Sequence, residues 1–236
     1  MRNTFFIFPV LLLSACSAAK GTPSAPSSSR SFDVSSFNQV ELAGSDDVRI
    51  VVGPAFSVQA TGPEKTLEKL KIEVSGSTLS IGRKRSFSMG WSNDKDALVT
   101  VTMPTIKSAG LAGSGDMNID RVETPEFKAS IAGSGNMSVK SAQVEKMRVS
   151  LAGSGDVTIA GVTQTIDISI AGSGNVMAKD MSATNASISI AGSGNVDARA
   201  SGAASVSLMG SGDVNISGTA NCKTSKMGSG VVRCTP

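Results

Sequence analysis

Few side chains in this sequence are suited to chemistry, and their types set the options. There is no His and no Tyr, with three Cys and a single Trp. Imidazole-based acid/base catalysis is therefore excluded, and a carboxylate or a Lys would have to do such work. Cys222 and Cys234 stand six residues before and six after Gly228, in frame with apolar positions elsewhere (Met147 or Ile166, and Ile159 or Ile216). Both replace inward-facing residues, and in an oxidising compartment a disulfide is expected. The alternative is two buried free thiols. Two thiolates without His make a poor metal site, and no metal or other cofactor is expected. The run RKRSFSMGWSNDKD, Arg83 to Asp96, gathers Arg83, Lys84, Arg85, Phe87 and Trp91 between two alternating segments. Such a tip can contact glycan, anionic lipid or protein by stacking and cation–π interaction. The plainer alternative is a long loop that folds its aromatic residues over an open end of the fold.

The third cysteine belongs to an address. Arg2, the apolar run Phe5 to Leu13, and Leu13-Ser14-Ala15-Cys16 read as a secretory signal over residues 1–15. The Cys after small residues resembles a bacterial lipobox, which implies cleavage before Cys16 and a lipid on its sulfur. A membrane-spanning helix is disfavoured because the run falls short of about 20 residues. Ser17 after the Cys resembles the sorting pattern of outer-membrane lipoproteins. Residues 16–31 then hold the lipidated Cys and a Ser/Ala/Pro tether with almost nothing to bury. The formal charge of +3 falls to +2 without Arg2, too little to argue for nucleic acid.

The elements that must carry these residues are written in a repeat. AGSGD or AGSGN begins at Ala112, Ala132, Ala152, Ala171 and Ala191; MGSGD and MGSGV follow at Met209 and Met227, and a worn copy, AGSDD, stands at Ala43. The first glycines, Gly113, Gly133, Gly153, Gly172, Gly192, Gly210 and Gly228, are spaced by 20, 20, 19, 20, 18 and 18 residues. Apolar residues recur two and four before each glycine, and four and six after it. That is period two on both sides, so each repeat is read as two half-buried strands joined at GSG. Two architectures fit: coils of a parallel β-solenoid, or hairpins of an antiparallel meander. Identical corners favour the solenoid, because each must fit its own copy above and below.

A phosphate loop would need GK[ST] entering a helix, and neither is present. Calcium turns of the nonapeptide type have a nine-residue period, and one carboxylate per corner falls short of six to eight oxygens. AGSGD is read as a structural corner. Gly allows positive φ, while Ser and Asp/Asn bond backbone groups that the corner leaves open. The column Asp116, Asn136, Asp156, Asn175, Asn195, Asp213, Val231 never sets two carboxylates in succession. In a stack this keeps charges at least ~9.6 Å apart and lets amides ladder.

Residues 32–104 alternate without repeating: FNQVELAGSDDVRIVVG, FSVQA, LKIEVSGSTLSIG and LVTVTMP, with a short helical turn expected in PEKTLEKL. The order F-x-x-V-E-L-A-G-x-x-x-V-x-I, then V-T-V-T-M-P, then serial GSG[DN] turns resembles the auto-transporter adhesin head, or GIN, domain over about residues 34–234. The resemblance implies a secreted or surface β-helical domain of bacteria, and it carries no catalytic residues.

The expected fold is all-β: a single-stranded parallel β-helix of ~20-residue coils, one domain over 32–236, with an irregular capping part (32–104) and regular repeats (105–236). The expected role is non-catalytic: an outer-membrane lipoprotein of the cell envelope, facing periplasm or exterior, held to the membrane by its lipid. Its partners would be an envelope glycan or another protein, with self-association through open sheet edges as a third reading. The rival is a polysaccharide-acting β-helix enzyme, against which stands the scatter of the carboxylates.

Overall fold

The computed structural model describes residues 28–84, 96–219 and 221–236. The chain opens with β1 (Ser28–Phe32), β2 (Gln39–Gly44), β3 (Asp47–Val52) and β4 (Ser57–Gly62), then one short helix, α1 (Glu64–Lys69), then β5 (Leu70–Ser75), β6 (Thr78–Arg83) and β7 (Leu98–Met103). The repeats supply β8 (Ser108–Gly113), β9 (Met117–Ile119), β10 (Val122–Gly133), β11 (Met137–Gly153), β12 (Val157–Gly172) and β13 (Val176–Gly192). They end with β14 (Val196–Ala200), β15 (Ala204–Gly210), β16 (Val214–Ser217), β17 (Cys222–Met227) and β18 (Val232–Thr235).

Equivalent residues of successive repeats lie side by side in parallel register. Ile131 pairs with Leu111 and Leu151, and Gly133 with Gly113 and Gly153. That register is a solenoid, and it excludes the hairpin meander, whose neighbours would run antiparallel. Inward Val, Leu, Ile, Met and Ala form one continuous core from Phe37 to Ile216. Full burial of each large aliphatic is worth about 1.5–3 kcal/mol relative to exposure, so the fold is held by its layers of stacked apolar residues.

Each full coil has a third inward run that the sequence reading did not separate. In β11 the buried residues are Met137 and Val139, then Ala142 and Val144, then Met147, Val149 and Leu151. The alternation slips a residue at Lys140-Ser141 and again at Glu145-Lys146, and each slip marks a bend. The third run is partly polar: Thr163 is buried, and its hydroxyl donates to the carbonyls of Glu145 and Thr165 (3.1 and 3.0 Å). The coils with 18-residue spacing shorten this run, and β14 and β15 are separate strands where β13 is continuous.

The capping part does not stack in chain order. β2 pairs with β6 on one side and β8 on the other, and β3 lies likewise between β7 and β9. The first coil of the chain is thus the second of the stack; β6 and β7 were laid outside it before the chain crossed to β8. Beyond them β5 pairs antiparallel with β6, and β4 with both β7 and β1. The helical turn α1 buries Thr66 and Leu67. No helix among the described residues is long and apolar enough to cross a membrane.

Candidate functional site

The corners are load sites of the stack rather than loops. The first glycine of each has φ between 122° and 140°, a region that side chains avoid. In the first four corners its carbonyl accepts two N–H groups of the next coil, as Gly133 O takes Ser154 N at 2.9 Å and Gly155 N at 3.2 Å, and at Gly172, Gly192 and Gly210 it accepts one. A Cβ added to Gly153 would overlap Gly133 O, and one added to Gly155 would overlap Gly135 O. The Asp/Asn column is a ladder. Asn136 donates its backbone N–H and its side-chain amide to Asp116 Oδ1 (3.0 and 2.9 Å), and Asp156 N donates to Asn136 Oδ1 (3.1 Å). Asn175 repeats the pair of bonds on Asp156 Oδ1, and Asn195 does so on Asn175 Oδ1. The rungs begin at Asp47, which takes Asp116 N, and end at Val231 N on Asp213. Asp47 and Asp116 thus set one pair of carboxylates on adjacent rungs, which corrects the expectation that no two follow in succession. These carboxylates are committed to backbone, which leaves the column poorly placed for proton transfer.

The outer surface of the strands leading into the corners is hollow. A groove of about 480 Å³ crosses β2, β8, β10, β11, β12 and β13. One side presents Ser130, Ser150, Ser169 and Ser189, the other Ala43, Ala112, Ala132, Ala152 and Ala171. Five strand spacings make it about 24 Å long. Its volume lies within the range of ligand clefts, and Glu41 at one end is its only ionisable lining residue. Of the charges beside it, Arg148 Nε pairs with Glu126 (3.0 Å) and Lys146 Nζ with Asp167 (3.2 Å), while Lys128, in register with Arg148, stands exposed at the groove's flank. Small side chains create the trough because taller ones at these two columns would fill it. The repeating Ser and Ala were visible in the sequence, but strand alternation alone marked them only as outward-facing.

The basic–aromatic run is an insertion at a corner. β6 leads into it and β7 leaves it, on the same faces as every GSG corner, in the outermost coil of the stack. Arg83 turns inward: its Nε and Nη2 donate to Asp46 at 2.9 and 2.7 Å, and Nη2 also reaches Asp96 at 3.0 Å. Asp46 is wholly buried and also accepts Ala97 N (2.8 Å), while Ser45 Oγ donates to Asp96 (2.6 Å). The hydrogen bond to Asp46 is the main cause that holds the Arg83 pKa above its ordinary value; its partial desolvation opposes this. Burial of Asp46 demands a counter-charge, and Arg83, expected as a contact residue, supplies it. The Lys84 ammonium donates to Glu68 O (3.2 Å). Arg85, Phe87 and Trp91 lie outside the described residues, as does Cys16. Asp46 escaped the sequence reading, although a signal existed: it stands where regular corners have their second glycine.

At the other end Cys222 and Cys234 are bonded, with S–S 2.06 Å and Cα–Cα 6.5 Å. They follow Ala204 and Ile216 in the inward columns, as the frame required, although both are half-buried, with no described coil on their far side. Among the described residues no group of three or more His, Cys, Asp or Glu could hold a metal ion.

The family model described as "Putative auto-transporter adhesin, head GIN domain" matches residues 36–220. Among solved structures, one described as a "putative adhesin" from Bacteroides fragilis NCTC 9343 is 23% identical, covers 91% of this chain and 99% of its own, and has a TM-score of 0.81. A "putative lipid binding protein" from Parabacteroides distasonis ATCC 8503 is 24% identical (89% and 96% covered, TM-score 0.72). A "putative adhesin" from Parabacteroides merdae ATCC 43184 is 18% identical (89% and 96%, TM-score 0.71). Such identities speak for the fold alone, and no curated protein matches. By the family match, the chain belongs to the auto-transporter adhesin head GIN domain family.

Proposed function

We propose that this protein is an envelope lipoprotein that binds without catalysis, holding a linear, uncharged, hydroxyl-bearing chain such as a neutral envelope glycan along the groove. The observation that carries the reading is the groove itself, about 480 Å³ lined by serine hydroxyls and alanine methyls repeated from coil to coil. A polymer with hydrogen-bonding groups at short intervals meets such a ladder many times, so weak single contacts add up. An enzyme reading has less support, since the buried carboxylate Asp46 is consumed by an ion pair. A second reading, an acyl chain, is favoured by the methyl column and the neutral walls.

The test uses the full chain carrying Cys16→Ser, captured on neutral envelope glycan fragments and on fatty acids. Ser150→Glu with Ser169→Glu places charges on two exposed rungs of the groove. Glycan binding abolished by that pair, with the strand signature in circular dichroism retained, supports the proposal. Equal glycan binding by both forms ends it, and displacement only by fatty acids moves the groove to the second reading. The anchor has its own test: Cys16→Ser should remove acyl labelling and free the protein from the membrane fraction.

A further inference from the structure

We propose that the C-terminal end of the solenoid is a docking tip for an anionic lipid surface, a contact separate from the groove. The column one residue before the corner glycine is Ala at positions 112, 132, 152, 171 and 191, then changes to Met209 and Met227 in the last two coils. These two are register neighbours on β15 and β17. They stand 59% and 70% exposed, and Val231 in the adjoining corner is 38% exposed. Three apolar side chains therefore lie open at one end of a surface made mainly of Ser, Thr and Ala.

The same coil is cationic. Lys223 and Arg233 point outward from β17 and β18, on different faces, and Lys226 is exposed on β17 as well. No Asp or Glu follows Asp213 in the sequence. The carboxylates in register with this coil lie in preceding coils: Asp213, whose Oδ1 accepts Val231 N at 2.8 Å, and Asp197, whose Oδ1 accepts Asn215 Nδ2 at 2.9 Å. Lys226 Nζ donates to a carbonyl, Gly230 O, at 2.9 Å. Cations around flexible thioethers suit a surface with phosphate outside and hydrocarbon beneath, where the methionines enter and the cations stay with the headgroups.

Other occupants fit less well. Lys226 stands in the inward column after Leu208, a charge at the edge that discourages a further strand. Val231 ends the Asp/Asn ladder, so a stacked copy would find no acceptor there.

The experiment is sedimentation of the full chain carrying Cys16→Ser with vesicles of phosphatidylcholine, alone or mixed with phosphatidylglycerol. Binding should require the anionic lipid. Lys223→Ser and Arg233→Ser should each weaken it about fivefold, and Met227→Ser should weaken it without changing its salt dependence. All three sites are exposed, so melting temperature should hold. Equal partition into neutral vesicles, no partition into either, or an unchanged Lys223→Ser/Arg233→Ser double variant would each overturn the proposal. Displacement by soluble polyglutamate, with Met227→Ser inert, would assign the tip to an acidic protein and overturn the lipid assignment. The groove variant Ser150→Glu/Ser169→Glu should bind vesicles as before, which keeps this test apart from the glycan test.

Discussion

Arg83 Nη2 lies 2.7 Å from Asp46 Oδ1, joining the base of the corner insertion to the one corner whose second glycine is an aspartate. The substitution and the insertion explain each other. In regular corners a side chain at this glycine would overlap the preceding coil, as Gly135 would overlap Gly115 O. Outside Asp46 there is no GSG corner but the arginine that opens the insertion, so a carboxylate both fits and is needed.

Asp46→Asn keeps the shape and the acceptor for Ala97 N but removes the charge. Arg83 would keep a neutral acceptor at Oδ1 for Nη2 but lose the Nε bond to Oδ2, leaving the half-exposed Asp96 as its charged partner. Loss of a charge-assisted bond of this kind is worth about 2–3 kcal/mol, and the change should appear as a lower denaturation midpoint. Because the Arg83 pKa is raised on folding, its contribution is complete at every pH below the ordinary arginine range and fades only above it. The wild-type clamp should thus show no loss from arginine deprotonation anywhere near neutrality. A midpoint unaltered by Asp46→Asn would show that the pair does not hold the insertion.

Two glycines separate backbone strain from stacking. Gly44 and Gly153 share the same unusual φ, 139° and 130°, but a Cβ on Gly44 would meet nothing within 4 Å. A Cβ on Gly153 would overlap the carbonyl of Gly133. Gly44→Ala should cost only the conformational strain, about 1–3 kcal/mol. Gly153→Ala should cost distinctly more, and Gly153→Val should leave the protein aggregated. Equal midpoints for the two alanine variants would remove the stacking term from the account.

Much of this was legible because a solenoid repeats its reasons. Corner glycines, the Asp/Asn ladder and the frame of Cys222 and Cys234 each follow from one coil needing to fit the next. The third inward run was hidden because Lys140-Ser141 and Glu145-Lys146 slip the alternation, and its short stretches contain Thr and Ala beside Val. The order of the first coils was hidden for a different reason. Nothing local in β2 tells that β6, rather than β8, will be laid on its outer side; a long-range crossover has no periodic signature. The partner of Asp46 was out of reach as well, since Arg83 is 37 residues away and joined only by the fold.

Asn175→Asp tests the charge spacing of the ladder. Asn175 Nδ2 donates to Asp156 Oδ1 at 2.9 Å, so the substitution removes a donor and places two carboxylates on adjacent rungs. At this partly exposed site the loss should be about 1–2 kcal/mol at neutral pH. A carboxyl beside a carboxylate has its folded pKa raised, so the penalty grows as pH rises through the carboxylate range and vanishes below it. Wild type and variant should therefore converge in denaturation midpoint under mild acid, where a protonated carboxyl can again donate, and their difference should narrow in high salt. A difference that persists unchanged in acid would trace the loss to the missing amide bond alone.

The disulfide joins the two outer strands of a coil that has only one neighbour. β17 and β18 rest on β15 and β16, and no described strand covers their far side. Cys222 and Cys234 are 12 residues apart, and closing a loop of that size stabilises by about 3 kcal/mol on the chain-entropy estimate. Cys222→Ala with Cys234→Ala should lose about that amount, but not uniformly. Contacts in a stack are between nearest neighbours, so the loss should be local. Amide exchange should rise after Gly210 and remain nearly unchanged around Gly133, whose coil is flanked on both sides. Reduction of the wild-type protein should reproduce the pattern, and Gly44→Ala should not. If exchange instead rises evenly from β2 to β18, the solenoid opens as one unit and the bridge stabilises the whole of it. If it does not rise at all, Lys226 and the packing of Val232 hold the last coil without help from the sulfurs.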